Sequence, residues 1–312
     1  MAHDWQTAVT QPDELGESPF WHPDEQMLYW VDITGQQIRR LNTFMGSVES
    51  WAMPSEPGCI APARLAGCKD NGAFVIALRD AIYGASQWGG ALRRLTPALH
   101  KPDVTRFNDG KADPAGRFWV GTISSPRDAA EAQLFSLDAR LPGPWALQRQ
   151  AGNATVANGL AWSPDASTMY WTDTTTHTIR AWDFNPDTAN LTHERVFKRW
   201  SGKPAGWLPG DAGYGGRPDG AAVDVQGNYW VAMFEGARVL QISPAGDVLA
   251  DIAVPARCPT MPCFGGADFK TLFLTTARHG RSAAELAVYP DSGCVFSMRV
   301  DVPGLAVNFF VG

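Results

Sequence analysis

Basic runs are missing from this sequence, as are long apolar runs, paired histidines and an even set of cysteines. Its 26 lysines and arginines are outnumbered by 32 acidic residues, giving a net charge of −6 over 312 residues. With no clustered positive face, there is no electrostatic footprint for nucleic acid. No stretch nears the roughly 18 consecutive apolar residues that a membrane span requires. The opening MAHDWQTAVTQPDELG has neither a basic nor an apolar signal region, so export is not expected. The five cysteines (Cys59, Cys68, Cys258, Cys263 and Cys294) are odd in number. Together with the lack of a signal, this reads as reduced thiols and a cytoplasmic location. Cys258 and Cys263 enclose four residues, two of them proline, with no histidine pair nearby, so they read as buried thiols and not a zinc site. The six histidines form no HExxH pattern, and no G-x-S-x-G elbow or Walker lysine occurs.

Helical periodicity is scarce too. The best helical candidate, AAEAQLFSLDAR from Ala129, reads equally well as a strand over QLFSLD. In its place stand 13 tryptophans, 31 glycines and 23 prolines, a composition of short strands punctuated by turns. A turn followed by an aromatic, β-branched strand recurs: DEQMLYWVD, KDNGAFVIAL, DPAGRFWVGT, PDASTMYWTD, DVQGNYWVAM and ADFKTLFLTTA. Their centres, Trp30, Val75, Trp119, Trp171, Trp230 and Phe273, are spaced by 45, 44, 52, 59 and 43 residues. Each period accommodates one four-stranded blade, and second strands such as QIRRLN, TIRAWDF and RVLQISP follow several of the centres. Six such units predict an all-β, six-bladed β-propeller, one domain over residues 1–312.

One position within the repeat is polar four times. Glu17 and Asn158 lie 13 residues before Trp30 and Trp171, and Asn108 and Asp219 lie 11 before Trp119 and Trp230. The two-residue difference falls in the intervening turn. Taken singly, NG and DG are ordinary turn pairs. At one repeat position, however, all four are expected at the start of the innermost strand, facing each other at one mouth of the central channel. Buried together, they would repel or stay unpaired unless a cation lay between them. The longest period ends on SGKPAGWLPGDAGYGGRPDG, from Ser201 to Gly220. This run is expected to form a rim or lid beside that mouth, with Trp207 and Tyr214 offered to a ligand.

The segments LGESPFWHPDEQMLYWVDITGQQIRRLN, RFNDGKADPAGRFWVGT, VANGLAWSPDASTMYWTD and RPDGAAVDVQGNYWVAM resemble the regucalcin and gluconolactonase family, also called the senescence-marker-protein family. CFGGADFKTLFLTTARHG resembles its bacterial sugar-lactonase branch. The resemblance covers nearly the whole chain. It implies a propeller that holds one divalent cation at the channel mouth and hydrolyses sugar lactones to aldonic acids in oxidative sugar catabolism. The implied metal ligands are Glu17 of GESP, Asn158 of NGL and Asp219 of PDG, with Asp219 also catalytic. Arg106 and Asn108 of RFNDGK match substrate-binding positions. Where some members carry an acidic residue after the GT of the third blade, this chain has Ser124 and Ser125.

Two carboxylates and one amide oxygen make a hard site suited to Ca²⁺, Mg²⁺ or Mn²⁺, with Zn²⁺ and Fe²⁺ also admissible. Three protein ligands leave positions open for substrate and water. The expected partner is a small sugar lactone met by a monomer or small homo-oligomer. The competing readings are a propeller esterase for other small esters and a non-catalytic calcium-binding propeller.

Overall fold

The computed structural model describes residues 4–68, 72–98, 103–209 and 211–312. Residues 69–71, which open the second repeat, and Gly210, within the expected rim, lie outside the described residues. The strands form six sheets, antiparallel apart from one short parallel pairing in the second, arranged as the blades of a six-bladed β-propeller. In blade one the order from channel to rim is Gly16–His22, Met27–Asp32, Gln37–Asn42 and Ser47–Ala52. The innermost strands of the next five blades are Cys59–Arg64, Thr105–Ala112, Ala157–Trp162, Arg217–Val223 and Pro259–Gly265.

Burial falls from the channel outwards. The first two strands of blade one are buried throughout, whereas outer strands such as Ser47–Ala52 and Leu191–Arg199 are largely exposed. Period-two alternation sends successive side chains to opposite blade faces. Tyr29 therefore joins the cluster packed against Phe74 and Ile76 of blade two, while Trp30 joins Cys263, Phe273 and Val295 of blade six. Six such apolar clusters fill the six gaps between blades. The repeat centres Trp30, Trp119, Trp171, Trp230 and Phe273 are all buried in them. Three of these indoles also donate to a buried carboxylate: Trp30 to Asp13 at 2.7 Å, Trp119 to Asp113 at 2.9 Å and Trp230 to Asp224 at 3.0 Å. Each bond removes the cost of burying the ring's polar atom.

The two ends of the chain close the ring. Gln6–Val9 supplies the outermost strand of blade six, pairing with Val295–Arg299. At the other end, Phe310–Val311 pairs in parallel with Cys59–Arg64 on its channel side. The tail leading there straps the channel mouth opposite the polar one. Leu305 N donates to Val223 O, Asn308 Nδ2 to Ala112 O and Val311 N to Gly116 O. Beneath it lies a cavity of about 230 Å³ lined by residues including Ser18, Lys111, Met261 and Leu305.

The segment from Ala129 resolves as strand Ala132–Leu137. A single short helix, Ala283–Val288, occurs among the described residues, with Ser282 as its N-cap. No helix is long and apolar enough to cross a membrane among the described residues. All five cysteines are free.

Candidate metal centre and lactone site

Asp219 does not open its strand. The strand begins at Arg217, and Asp219 sits inside it, at a break in register. The same break recurs in the innermost strands of four blades. Pairing slips between Glu17 and Phe20, Phe107 and Gly110, Asn158 and Ala161, and Pro218 and Ala221. A bulge re-aims the side chains at its own position, so the polar residues turn into the channel without ending the strand. In two of the bulges the residue after the site residue takes a left-handed backbone: Ser18 with φ of 49° and Gly159 with φ of 60°.

The structure brings all four residues of the shared position together, each buried. Asn108 Nδ2 donates to Asn158 Oδ1 at 2.9 Å and to Ala157 O at 2.9 Å. Asn158 Nδ2 donates to Thr174 Oγ1 at 2.8 Å, which fixes its amide so that the oxygen faces the channel. Arg106, half-buried, donates from Nη1 to Asn108 Oδ1 at 2.7 Å and to Phe107 O at 2.9 Å. The amide oxygen of Asn108 is thereby engaged by a cation of the protein, while that of Asn158 keeps a lone pair for another partner.

Glu17 and Asp219 have no cationic side chain within ion-pair distance among the described residues. Burial, then the charges of Asp219 and Asp109, push Glu17 well above the usual carboxylate range. Burial likewise pushes Asp219 up to about 7, with Arg217 opposing and Asp109 adding to the rise. Two buried carboxylates thus face each other beside an amide oxygen. A divalent cation between them would remove the repulsion and satisfy all three oxygens, so the donor set fits one. No group of three or more His, Cys, Asp or Glu side chains able to hold a metal occurs among the described residues, since the third oxygen here is an amide.

Sequence reasoning passed over three neighbours. Asp109, adjacent to Asn108 in the same bulge, is also turned inward. It accepts from Leu160 N at 3.0 Å, and burial raises its pKa against the opposing charge of Lys111. Thr174 orients Asn158 from the loop after the second strand. Arg127 lies just past the end of Phe118–Ser124, close enough for its charge to act on Arg106 and Asp219. The NDG triplet carried the signal for Asp109; the other two depend on contacts between loops.

The expected rim segment behaves differently from its forecast. Trp207 is buried, stacked edge-on against Tyr214 with centroids 5.1 Å apart, and Lys203 lies over its ring. The Tyr214 hydroxyl meets His177 Nε2 at 2.8 Å, and Lys203 binds Glu235 at 3.0 Å. The aromatics fasten the loop to its neighbours and do not offer their faces to a ligand. Arg278 lies 4.0 Å from Glu14.

Comparison with known proteins agrees with this architecture. A family profile described as SMP-30/Gluconolactonase/LRE-like region matches residues 15–278. A 6-deoxy-6-sulfogluconolactonase of Pseudomonas putida is 44% identical over 306 residues, covering 97% of each chain. Regucalcin of Danio rerio is 33% identical, covering 96% of this chain and 94% of its own. The crystal structure of a calcium-binding regucalcin from Agrobacterium tumefaciens superposes with a TM-score of 0.87 at 22% identity, over 99% of this chain and 98% of that one, and so shares the fold. With the profile covering most of the chain and these relatives nearly all of it, the protein belongs to the SMP-30/gluconolactonase/LRE-like family.

Proposed function

We propose that this protein is a divalent-metal-dependent sugar lactonase that opens aldonolactones to aldonic acids. The observation that carries the reading is the pair of buried carboxylates, Glu17 and Asp219, meeting the Asn158 amide with Arg106 and Asn108 alongside. The Pseudomonas putida relative, whose name specifies a 6-deoxy-6-sulfo lactone, supports the substrate class. Such lactones arise when an aldose is oxidised at C1, which places the enzyme after a sugar dehydrogenase.

The reaction adds water to C1 of the lactone. The bond from C1 to the ring oxygen breaks, and that oxygen takes one proton of the water as a hydroxyl, while the acid formed releases the other. Glu17, Asn158 and Asp219 would hold the cation, which would supply Lewis acidity for the lactone carbonyl and the water. Asp219 takes the proton from the water at a carboxylate oxygen. Arg106 holds a lactone oxygen through its forked donors, and Asn108 keeps that guanidinium and the Asn158 amide in place. The bulged strands fix these groups before substrate arrives, so little reorganisation is left for the reaction.

The test is acid release from glucono-δ-lactone, corrected for spontaneous ring opening, before and after chelation. Activity is expected to fall to the uncatalysed background and to return when Ca²⁺, Mn²⁺, Mg²⁺ or Zn²⁺ is restored. Full activity in metal-free protein would overturn the metal dependence. Bound metal with no hydrolysis of any lactone would favour a non-catalytic calcium-binding propeller.

Arg106→Ala and Asn108→Ala separate substrate handling from metal binding. Each is expected to raise KM or lower kcat, together cutting kcat/KM by roughly 10- to 100-fold, while metal content stays at the wild-type level. Unchanged kinetics in both variants would remove these residues from the site.

A further inference from the structure

We propose that the rim of the metal-bearing mouth contains an anion subsite built from Arg127 and Arg106, which selects lactones bearing a sulfonate or phosphate on the carbon farthest from the carbonyl. This inference rests on the lactonase reading and names its substrate class.

Arg106 and Arg127 belong to one hairpin. Arg106 pairs with Ile123 near the start of Thr105–Ala112, and Arg127 follows the end of the partner strand Phe118–Ser124. Ser125 N donates to Val104 O at 2.7 Å, holding the two ends side by side. The charges interact: burial and then the Arg127 guanidinium hold Arg106 down to about 10. Burial and then the charge of Arg217 hold Arg127 below its ordinary value.

Other cations of this rim are held in ion pairs. Glu235 takes Lys203 at 3.0 Å, Arg217 at 2.9 Å and Arg281 at 3.2 Å. Glu56 takes Arg79 at 2.8 Å. Arg106 binds only neutral oxygens of the protein, and Arg127, which is exposed, has no carboxylate within ion-pair distance among the described residues. The charges of Glu17 and Glu56 on Arg106 and of Asp219 on Arg127 act from beyond ion-pair contact, so an anion of tetrahedral oxygens placed against both guanidiniums would be their first direct counter-ion and would reverse the repulsion between them. Ser124 and Ser125, before Arg127, are neutral, and Asp128 after it makes no ion pair with either arginine, so the two guanidiniums against one carboxylate leave this end of the hairpin positive.

The placement also suits the orientation of a hexonolactone. Arg106 reaches inwards to Asn108 beside the donor set, whereas Arg127 stands at the exposed lip. A lactone whose carbonyl lies at the donor set would point its terminal carbon towards that lip.

The experiment compares metal-loaded wild type, Arg127→Gln and Arg127→Lys on three probes: glucono-δ-lactone, 6-phosphoglucono-δ-lactone and 6-deoxy-6-sulfoglucono-δ-lactone. Wild type is expected to prefer at least one anionic lactone over the neutral one in kcat/KM by about 10-fold or more, less so at high salt. Arg127→Gln should reduce that preference by about 10-fold, mainly through KM, with metal content and melting temperature retained, and Arg127→Lys should recover part of it. Preference for the sulfonate alone or the phosphate alone identifies the anion and supports the subsite. Equal efficiency on neutral and anionic lactones in wild type, or an equal loss on all three in Arg127→Gln, overturns the subsite and leaves the lactonase reading standing. No hydrolysis of any of the three overturns both.

Discussion

Asp219→Ala is expected to lose both its metal and its turnover, with kcat/KM down by about 10³-fold or more, because in the proposed mechanism one carboxylate would serve the cation and the water at once. Asp219 is buried at a bulge, and its nearest charged neighbours include a second acid, Glu17. Alanine removes one of two like charges that repel when no cation separates them. The metal-free variant should therefore melt at or above the temperature of metal-free wild type. Added metal should raise the wild-type melting temperature and leave that of the variant unmoved, since a ligand stabilises only the state that binds it. This pairing of lost activity with retained apo stability separates a functional role from a structural one. Metal analysis of Glu17→Ala and Asp219→Ala is the direct check, and full occupancy in both would refute the site.

The second large effect is expected at Gly159. Its φ of 60° is a conformation that residues with a side chain adopt at a cost of about 1 kcal/mol. A Cβ there would meet Thr172 Oγ1 at 2.3 Å, Tyr229 Oη at 2.4 Å and the backbone oxygen of Asp219 at 2.9 Å. Tyr229 Oη also donates to Gly159 O at 2.6 Å, so a shift to relieve the contact breaks a buried bond. Gly159→Ala should lose about 3 kcal/mol or more of stability in denaturant titration. Because the collision presses on Asp219 and displaces Asn158, metal affinity should fall with it. Gly213→Ala is the control: φ is 86° with open space around the added carbon, so the cost is about 1 kcal/mol and metal affinity is unaffected. Wild-type stability and metal affinity in Gly159→Ala would show that the bulge does not hold the ligands.

The blades were legible because each is a local object. A turn, an aromatic strand and a second strand lie within one period, and Trp30, Trp119, Trp171 and Trp230 mark it without reference to the rest of the chain. The shared polar position was legible for the same reason: an equivalent place in a repeat becomes an equivalent place around an axis. Bulges were less visible, since a register slip depends on the partner strand as much as on Asn158 or Asp219. Ring closure left no local trace. That Gln6–Val9 completes the last blade, and that Phe310–Val311 adds to the second, are pairings across almost the full length of the sequence. Arg127 was missed because nothing in SSPRD distinguishes an unpaired guanidinium at a mouth from a solvated one. Trp207 and Tyr214 misled in the opposite direction: their size suggested contact with a ligand, but they pack against each other.

The strap formed by the C-terminal tail crosses the propeller's bore at the mouth away from Glu17 and Asp219. Leu305, Asn308 and Val311 are tied to three innermost or adjoining segments there, which narrows that route and favours the polar mouth. A lactone that enters and an aldonic acid that leaves by the polar mouth pass the same arginines and the same acidic oxygens. The product leaves with a new negative charge that the lactone carbonyl did not carry. Attraction that hastens entry of an anion therefore slows its exit, and the turnover of such a vessel is bounded by how firmly its own rim holds what it has just made.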